Sequence, residues 1–163
     1  MKKLLTILAL SLLVSYCGEK NDNSPAKSRI YFTGLTQTDV NGWPITIDTT
    51  DWKTNDTWVK QESELFTNVY QSNCTQAYAN EIAQYPNPCS GIFSLSFNKL
   101  ATTRLELRLV DKSFNALYSN DSVWGNALMF DAGVFGIKDT LRLYYKFIEG
   151  NCEFRGHGDI LVK

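Results

Sequence analysis

The chain has 163 residues, of which 44% are hydrophobic and 20% charged, and a net charge of −1. That is enough apolar material for one packed domain with extras, and too much for a disordered chain. No run of Lys and Arg is present, which excludes a chain built for nucleic acid, because phosphates must be met by clustered cations.

Residues 1–16, MKKLLTILALSLLVSY, set Lys2 and Lys3 before an uncharged stretch from Leu4 to Tyr16. A basic start and a short apolar centre read as a signal peptide. A membrane-spanning helix needs about 20 apolar residues. Cys17 follows directly, in LLVSYCGEK. Leu13, Val14 and Ser15 ahead of that cysteine resemble a bacterial lipobox, with Tyr16 in a place that usually holds Gly, Ala or Ser. The resemblance implies cleavage before Cys17 and a diacylglycerol on its thiol, with further acylation such as palmitate at the new N-terminus. Two or more chains give lasting attachment. It implies an outer-membrane lipoprotein on the periplasmic or cell-surface face. Residues 18–28, GEKNDNSPAKS, are a polar tether, similar to the short acidic tethers of surface lipoproteins in the Bacteroidetes. Without Lys2 and Lys3, 14 cations face 17 anions, a net charge of −3, so anionic head groups are poor partners too.

Residues 29–35, RIYFTGL, alternate with Ile30 and Phe32 on one face, as in a short strand. Asn41-Gly42 marks a turn. ITIDTTDW, 45–52, reads as a second strand with Ile45 and Ile47 on one face, completing a hairpin with a long loop. The period then changes. Trp58, Glu62, Leu65, Phe66 and Val69 follow the cap candidates Asn55, Asp56 and Thr57, which predicts a helix over about 57–66 with an aromatic stripe toward a core. Residues 71–84 are polar and carry no clear signal.

In YPNPCSGIFSLSF, 85–97, Pro86 and Pro88 each lack an amide donor, so 85–89 form a rigid corner ahead of a strand. Phe93, Leu95 and Phe97 share one face of that strand. TRLELRLVD, 103–111, alternates Leu105, Leu107 and Leu109 with Arg104, Glu106 and Arg108, the pattern of a half-buried antiparallel strand. A turn at 111–115 and short strands at 116–119 and 126–131 follow. LRLYYKFI, 141–148, alternates again. Glu149-Gly150-Asn151 turns the chain, 152–155 return, and 159–163 form a last strand. Short strands separated by turns predict an all-β fold, an antiparallel β-sandwich over 85–163. Residues 29–84 are then an N-terminal extension containing a short helix.

Four stretches, YPNPCSGIFSLSF, LELRLVDKSFNALY, DAGVFGIKDTLRLYYKF and the closing DILVK, carry a family resemblance. Together they resemble the C-terminal sorting domain of the Bacteroidetes type IX secretion pathway. Lys112, Ser113 and Phe114 stand where that family usually has a glycine turn, and RGHGDILVK is not its usual end. The chain is also similar to small Bacteroidetes lipoproteins that pair YPNP with a terminal GHGDI. The first resemblance implies an immunoglobulin-like form of the antiparallel β-sandwich and, as one alternative, a secretion signal in 85–163.

Beyond Cys17, the cysteines are Cys74, Cys89 and Cys152. Export permits disulfides, and three thiols leave at least one unpaired within the chain. Closing Cys74 on Cys89 makes a loop of about 15 residues, worth roughly 3 kcal/mol; three buried thiols are the other reading. The spacing fits no zinc or calcium site, and no cofactor is expected. His157, the only histidine, sits in Gly156-His157-Gly158-Asp159, where the glycines permit a tight turn and Asp159 is placed to orient an imidazole. Asp48, Asp51, Asp56, Glu62 and Glu64 gather near Trp52 and Trp58. Such carboxylates serve a glycoside-type hydrolase or, more often, cap and turn the chain. Trp43, Trp52, Trp58 and Trp124 are the candidate ligand-binding aromatics. The expected function is a lipid-anchored structural or binding module for an unknown protein or glycan partner, with catalysis not expected.

Overall fold

The computed structural model describes residues 29–76 and 78–163. The signal segment, Cys17 and the tether lie outside the described residues. Seven strands build a sandwich. β3 (Glu81–Tyr85), β4 (Ile92–Asn98) and β7 (Ala127–Asp131) form one sheet in the order β3-β4-β7. β5 (Arg104–Val110), β6 (Ala116–Val123), β8 (Thr140–Glu149) and β9 (Cys152–Leu161) form the other, in the order β6-β5-β8-β9. All these pairings are antiparallel. An immunoglobulin constant-type sandwich pairs four strands with three. Here the fourth strand, β6, has joined the second sheet, which leaves three strands against four.

The interior is what alternation predicts. Phe93, Leu95 and Phe97 face Leu105, Leu107, Leu109, Leu141, Leu143 and Phe147, all buried. Phe93 stacks on Phe130 at 5.1 Å between ring centres. Burying such side chains stabilises by about 1.5–3 kcal/mol each.

The N-terminal half departs from expectation. Residues 29–36 form no strand. The hairpin is small, β1 (Gln37–Thr38) against β2 (Pro44–Thr46), and Ile45 and Ile47 point to solvent rather than inward. The helix shrinks to α1 (Lys60–Ser63). Its start is capped by Glu62, whose carboxylate accepts from the Val59 amide at 2.8 Å. Trp58 and Phe66 do reach a core, while Val69 is exposed. That core is a second one, on the outer face of the four-stranded sheet, where Ile30, Trp58 and Phe66 meet Val110, Phe114 and Tyr144. Residues 29–76 therefore wrap the sheet instead of preceding it. The first sandwich strand, β3, begins at Glu81, inside a stretch that carries no clear sequence signal.

The YPNP corner joins β3 to β4, and its asparagine is a staple. Asn87 is completely buried. Its Nδ2 donates to the carbonyls of Thr36 at 2.7 Å and Asp159 at 2.8 Å, and its Oδ1 accepts from the Leu161 amide at 3.0 Å. Both X-Pro bonds of the corner are cis.

The disulfide joins Cys74 to Cys152, not to Cys89. Gln71 pairs with Cys152 through a parallel bridge, which delivers Cys74 to the β8–β9 turn. Cys89 is free and buried in the sandwich core, where burial raises its thiol pKa.

Candidate functional site

The outer face of the four-stranded sheet holds His157 and Asp159 together with the charged side chains of β5 and β8. Cross-strand register puts Glu106, Lys146 and Arg155 in one row, and Arg108, Tyr144 and His157 in the next. Val110, Arg142 and Asp159 make a third. An exposed face of this kind would be ordinary. This one is covered, and Glu106, Lys146, Glu153 and Asp159 are all buried. Half-burial, the expectation for β5, is corrected to burial on both faces.

Each cation has an anion and an aromatic lid. Arg142 holds Asp159 through two bonds of 2.6 and 2.7 Å, and its guanidinium lies 5.3 Å from the Phe32 ring centre. Burial works against that charge, but the Asp159 carboxylate outweighs it and raises the Arg142 pKa. Lys146 bonds Glu153 at 2.8 Å and the Asn68 carbonyl at 3.1 Å, with Phe66 at 5.0 Å. Arg155 lies under Trp58 at 5.4 Å. Arg108 reaches the Leu65 carbonyl at 2.8 Å, pairs with Asp121 and sits 4.7 Å from Phe66. Buried charges persist only when paired and hydrogen-bonded in this way.

His157 is not in a turn. Gly156, His157 and Gly158 lie within the continuous strand β9. The two glycines serve close approach: a Cβ on Gly156 would overlap the Lys53 carbonyl, and one on Gly158 the Trp52 ring. The Trp52 amide donates to the His157 carbonyl at 2.7 Å, and the Asp56 amide to the Arg155 carbonyl at 3.0 Å. The wrap thereby satisfies the open edge of β9. Its carboxylate partner is Asp56, 2.5 Å from His157 Nδ1, and not Asp159, which belongs to Arg142.

The acidic cluster is dispersed into separate structural jobs. Asp48 accepts from the Thr50 amide at 2.8 Å and its hydroxyl at 2.7 Å, which lowers its pKa. Asp51 accepts from the amides of Thr36 at 3.0 Å and Asp159 at 3.3 Å. Burial pushes its carboxyl up to about 6. Glu62 accepts from the Tyr144 hydroxyl at 2.8 Å; burial, then this carboxylate, raises the Tyr144 pKa. Glu64 pairs with Lys60 at 3.5 Å on the surface.

The four tryptophans do not form a row. Trp58 is core at 7% exposure, and Trp52 stacks on Tyr145. Trp43 and Trp124 are exposed, at 73% and 55%. They stand at opposite ends of the sandwich, Trp43 beside the YPNP corner through Gly42 and Tyr85, Trp124 where β6 gives way to β7.

A polar cleft of about 290 Å³ opens beside the disulfide, lined by Thr54, Asn55, Asp56, Thr57, Asn73 and Arg155 among others. Its hydroxyl, amide and guanidinium groups can hydrogen-bond a small polar ligand. The disulfide-linked segment at its rim and the Asn55–Arg155 bridge are tertiary features that no local sequence pattern marks. Among the described residues no group of three or more His, Cys, Asp or Glu is placed to hold a metal ion. No helix among them is long and apolar enough to cross a membrane. Compared with known protein families, curated proteins and solved structures, the chain finds no match.

Proposed function

We propose that this chain is a lipid-anchored β-sandwich module, held at Cys17 to the outer membrane on its periplasmic or cell-surface face, with a structural or binding role. The observation that carries this reading is the commitment of the acidic cluster and His157 to the fold. Asp48, Asp51, Asp56 and Glu62 each cap, turn or pin the wrap and Glu64 pairs with Lys60 on the surface, which leaves no two of them assigned to an acid and a nucleophile. The polar cleft is the place for a ligand, and its donors and acceptors suit the hydroxyls of a glycan or the backbone of a protein partner. The alternative of a sorting segment cleaved near Tyr85 fits less well. Such a cut would part β3 from β4 and leave the cover of Lys146 and Glu106 covalently held only by Cys74–Cys152.

Intact mass of the protein purified from its own membranes tests the anchor. The expected species begins at Cys17, carries acyl chains and runs to Lys163. A lipid-free chain beginning or ending near Tyr85 would reverse the reading. Titration of a glycan panel, followed by amide shifts at Asn55, Asn73 and Arg155, tests the cleft. Shifts confined elsewhere would move the binding site.

A further inference from the structure

The small hairpin stands out against the buried charges. Residues 37–47, QTDVNGWPITI, carry a single charge, Asp39. That carboxylate caps its own turn, accepting from the amides of Asn41 at 2.8 Å and Trp43 at 2.9 Å. Val40, Trp43, Ile45 and Ile47 are 66–73% exposed. A ribbon with one charge and four large apolar side chains in water is the kind of patch that proteins keep for a docking surface.

Its position relative to the tether says what would cover it. The described chain starts at Arg29, and the Ile30 amide donates to the Lys112 carbonyl at 2.9 Å. Phe32 then lies over Arg142, and Thr38 exchanges backbone bonds with Asn87. The hairpin is thus at the end of the sandwich where the tether arrives. Eleven residues separate Cys17 from Arg29, and a chain of that length reaches at most about 40 Å. An acylated Cys17 therefore holds this end close to the head groups, where a weak contact is raised by effective concentration. Tryptophan beside aliphatic side chains suits the bilayer interface.

We infer that the hairpin rests on the lipid bilayer, with Trp43, Val40 and Ile45 in the interfacial layer and the polar cleft left accessible. This rests on the anchor proposed above. Trp124, at the far end of β5 and β6 from the tether, is a built-in control.

The test uses the full acylated protein, its anchor verified by intact mass, reconstituted in phosphatidylcholine vesicles with and without lipids brominated high on the acyl chain. The expected result is a blue shift and a bromolipid-dependent loss of Trp43 emission, absent in Trp43→Phe, while Trp124 stays accessible to acrylamide. Val40→Asp with Ile45→Asp, on the exposed face, is expected to abolish the quenching while thermal unfolding is retained. An acylated chain whose Trp43 is not quenched overturns the docking alone. Shielding from acrylamide without bromolipid quenching assigns the hairpin to a second copy, and also overturns it. A mass without acyl chains overturns the anchor and the docking together.

Discussion

The two faces of the four-stranded sheet solve burial in opposite ways. The inner face is aliphatic and aromatic, with Leu105, Leu107, Leu109, Leu141, Leu143 and Phe147 packed against the other sheet. The outer face of the same strands is ionic, and residues 29–76 roof it with Phe32, Trp58, Phe66 and Tyr70. The inner face needs only apolar shapes of the right volume, so many sequences would serve. The outer face needs every ion matched, because an orphaned buried charge costs more than a lost apolar contact. The wrap is consequently the more specific part of the fold and the more easily broken.

The largest break is expected at the clamp. Reducing Cys74–Cys152, or replacing both by serine, removes a closure spanning 78 residues, worth about 4.5 kcal/mol in the chain-entropy account. Hydrogen exchange should then rise first on the wrap and β9, with β4 and β5 lagging; uniform loss of protection would mean that the wrap and the sandwich are one cooperative unit. Next is the central ion pair. Lys146→Met leaves Glu153 buried with only the Arg155 contact at 3.4 Å, and should cost about 4 kcal/mol in urea unfolding. Adding Glu153→Leu should restore most of that, and a double variant as unstable as the single one would show that the ions are needed for more than mutual neutralisation.

Gly158→Ala comes third. The added Cβ must displace Trp52, at about 2 kcal/mol as an overpacking cost, while Ala at Gly91, where a Cβ meets nothing, should be near neutral. Equal melting temperatures for the two would mean that Trp52 swings aside freely. The smallest effect is the pH dependence of Asp51. Its folded pKa of about 6 lies above the unfolded value of 3.8, so the native state holds the extra proton between them. Stability from this group is full below about pH 4 and is lost as pH rises through about 6. Asp51→Asn should flatten that segment of the stability profile. A slope unchanged in the variant would assign the titration to another group.

Much of the inner face was legible from sequence. Strict alternation in FSLSF, RLELRLV and LRLYYKF places β4, β5 and β8 and their core residues. Alternation cannot say what lies over the polar side. Arg104, Glu106 and Arg108 look solvated because the rings that cover them come from some 40 residues upstream. The same holds for His157. Glycines on both sides of it read as a turn, when their smallness makes room for Lys53 and Trp52. The helix signal at 57–66 was sound in part: Trp58 and Phe66 face a core, but only Lys60–Ser63 is helical, and the amides that follow it close local turns onto Glu62 and Ser63. The cysteine pairing depended on a parallel bridge at the wrap's far end, which leaves no trace in spacing.

The Asn87 staple has a consequence for how the molecule is made. It and the Asp51–Asp159 contact, 108 positions apart, bind the first described residues to the last strand. A chain that emerges N-terminus first cannot seat the wrap on β9 until that strand is out, because the surface it lies on does not yet exist. Contacts of that sequence range close slowly. During synthesis the exposed apolar hairpin and the roof aromatics therefore wait unassembled, and the earliest-made part of the protein is the last to find its place.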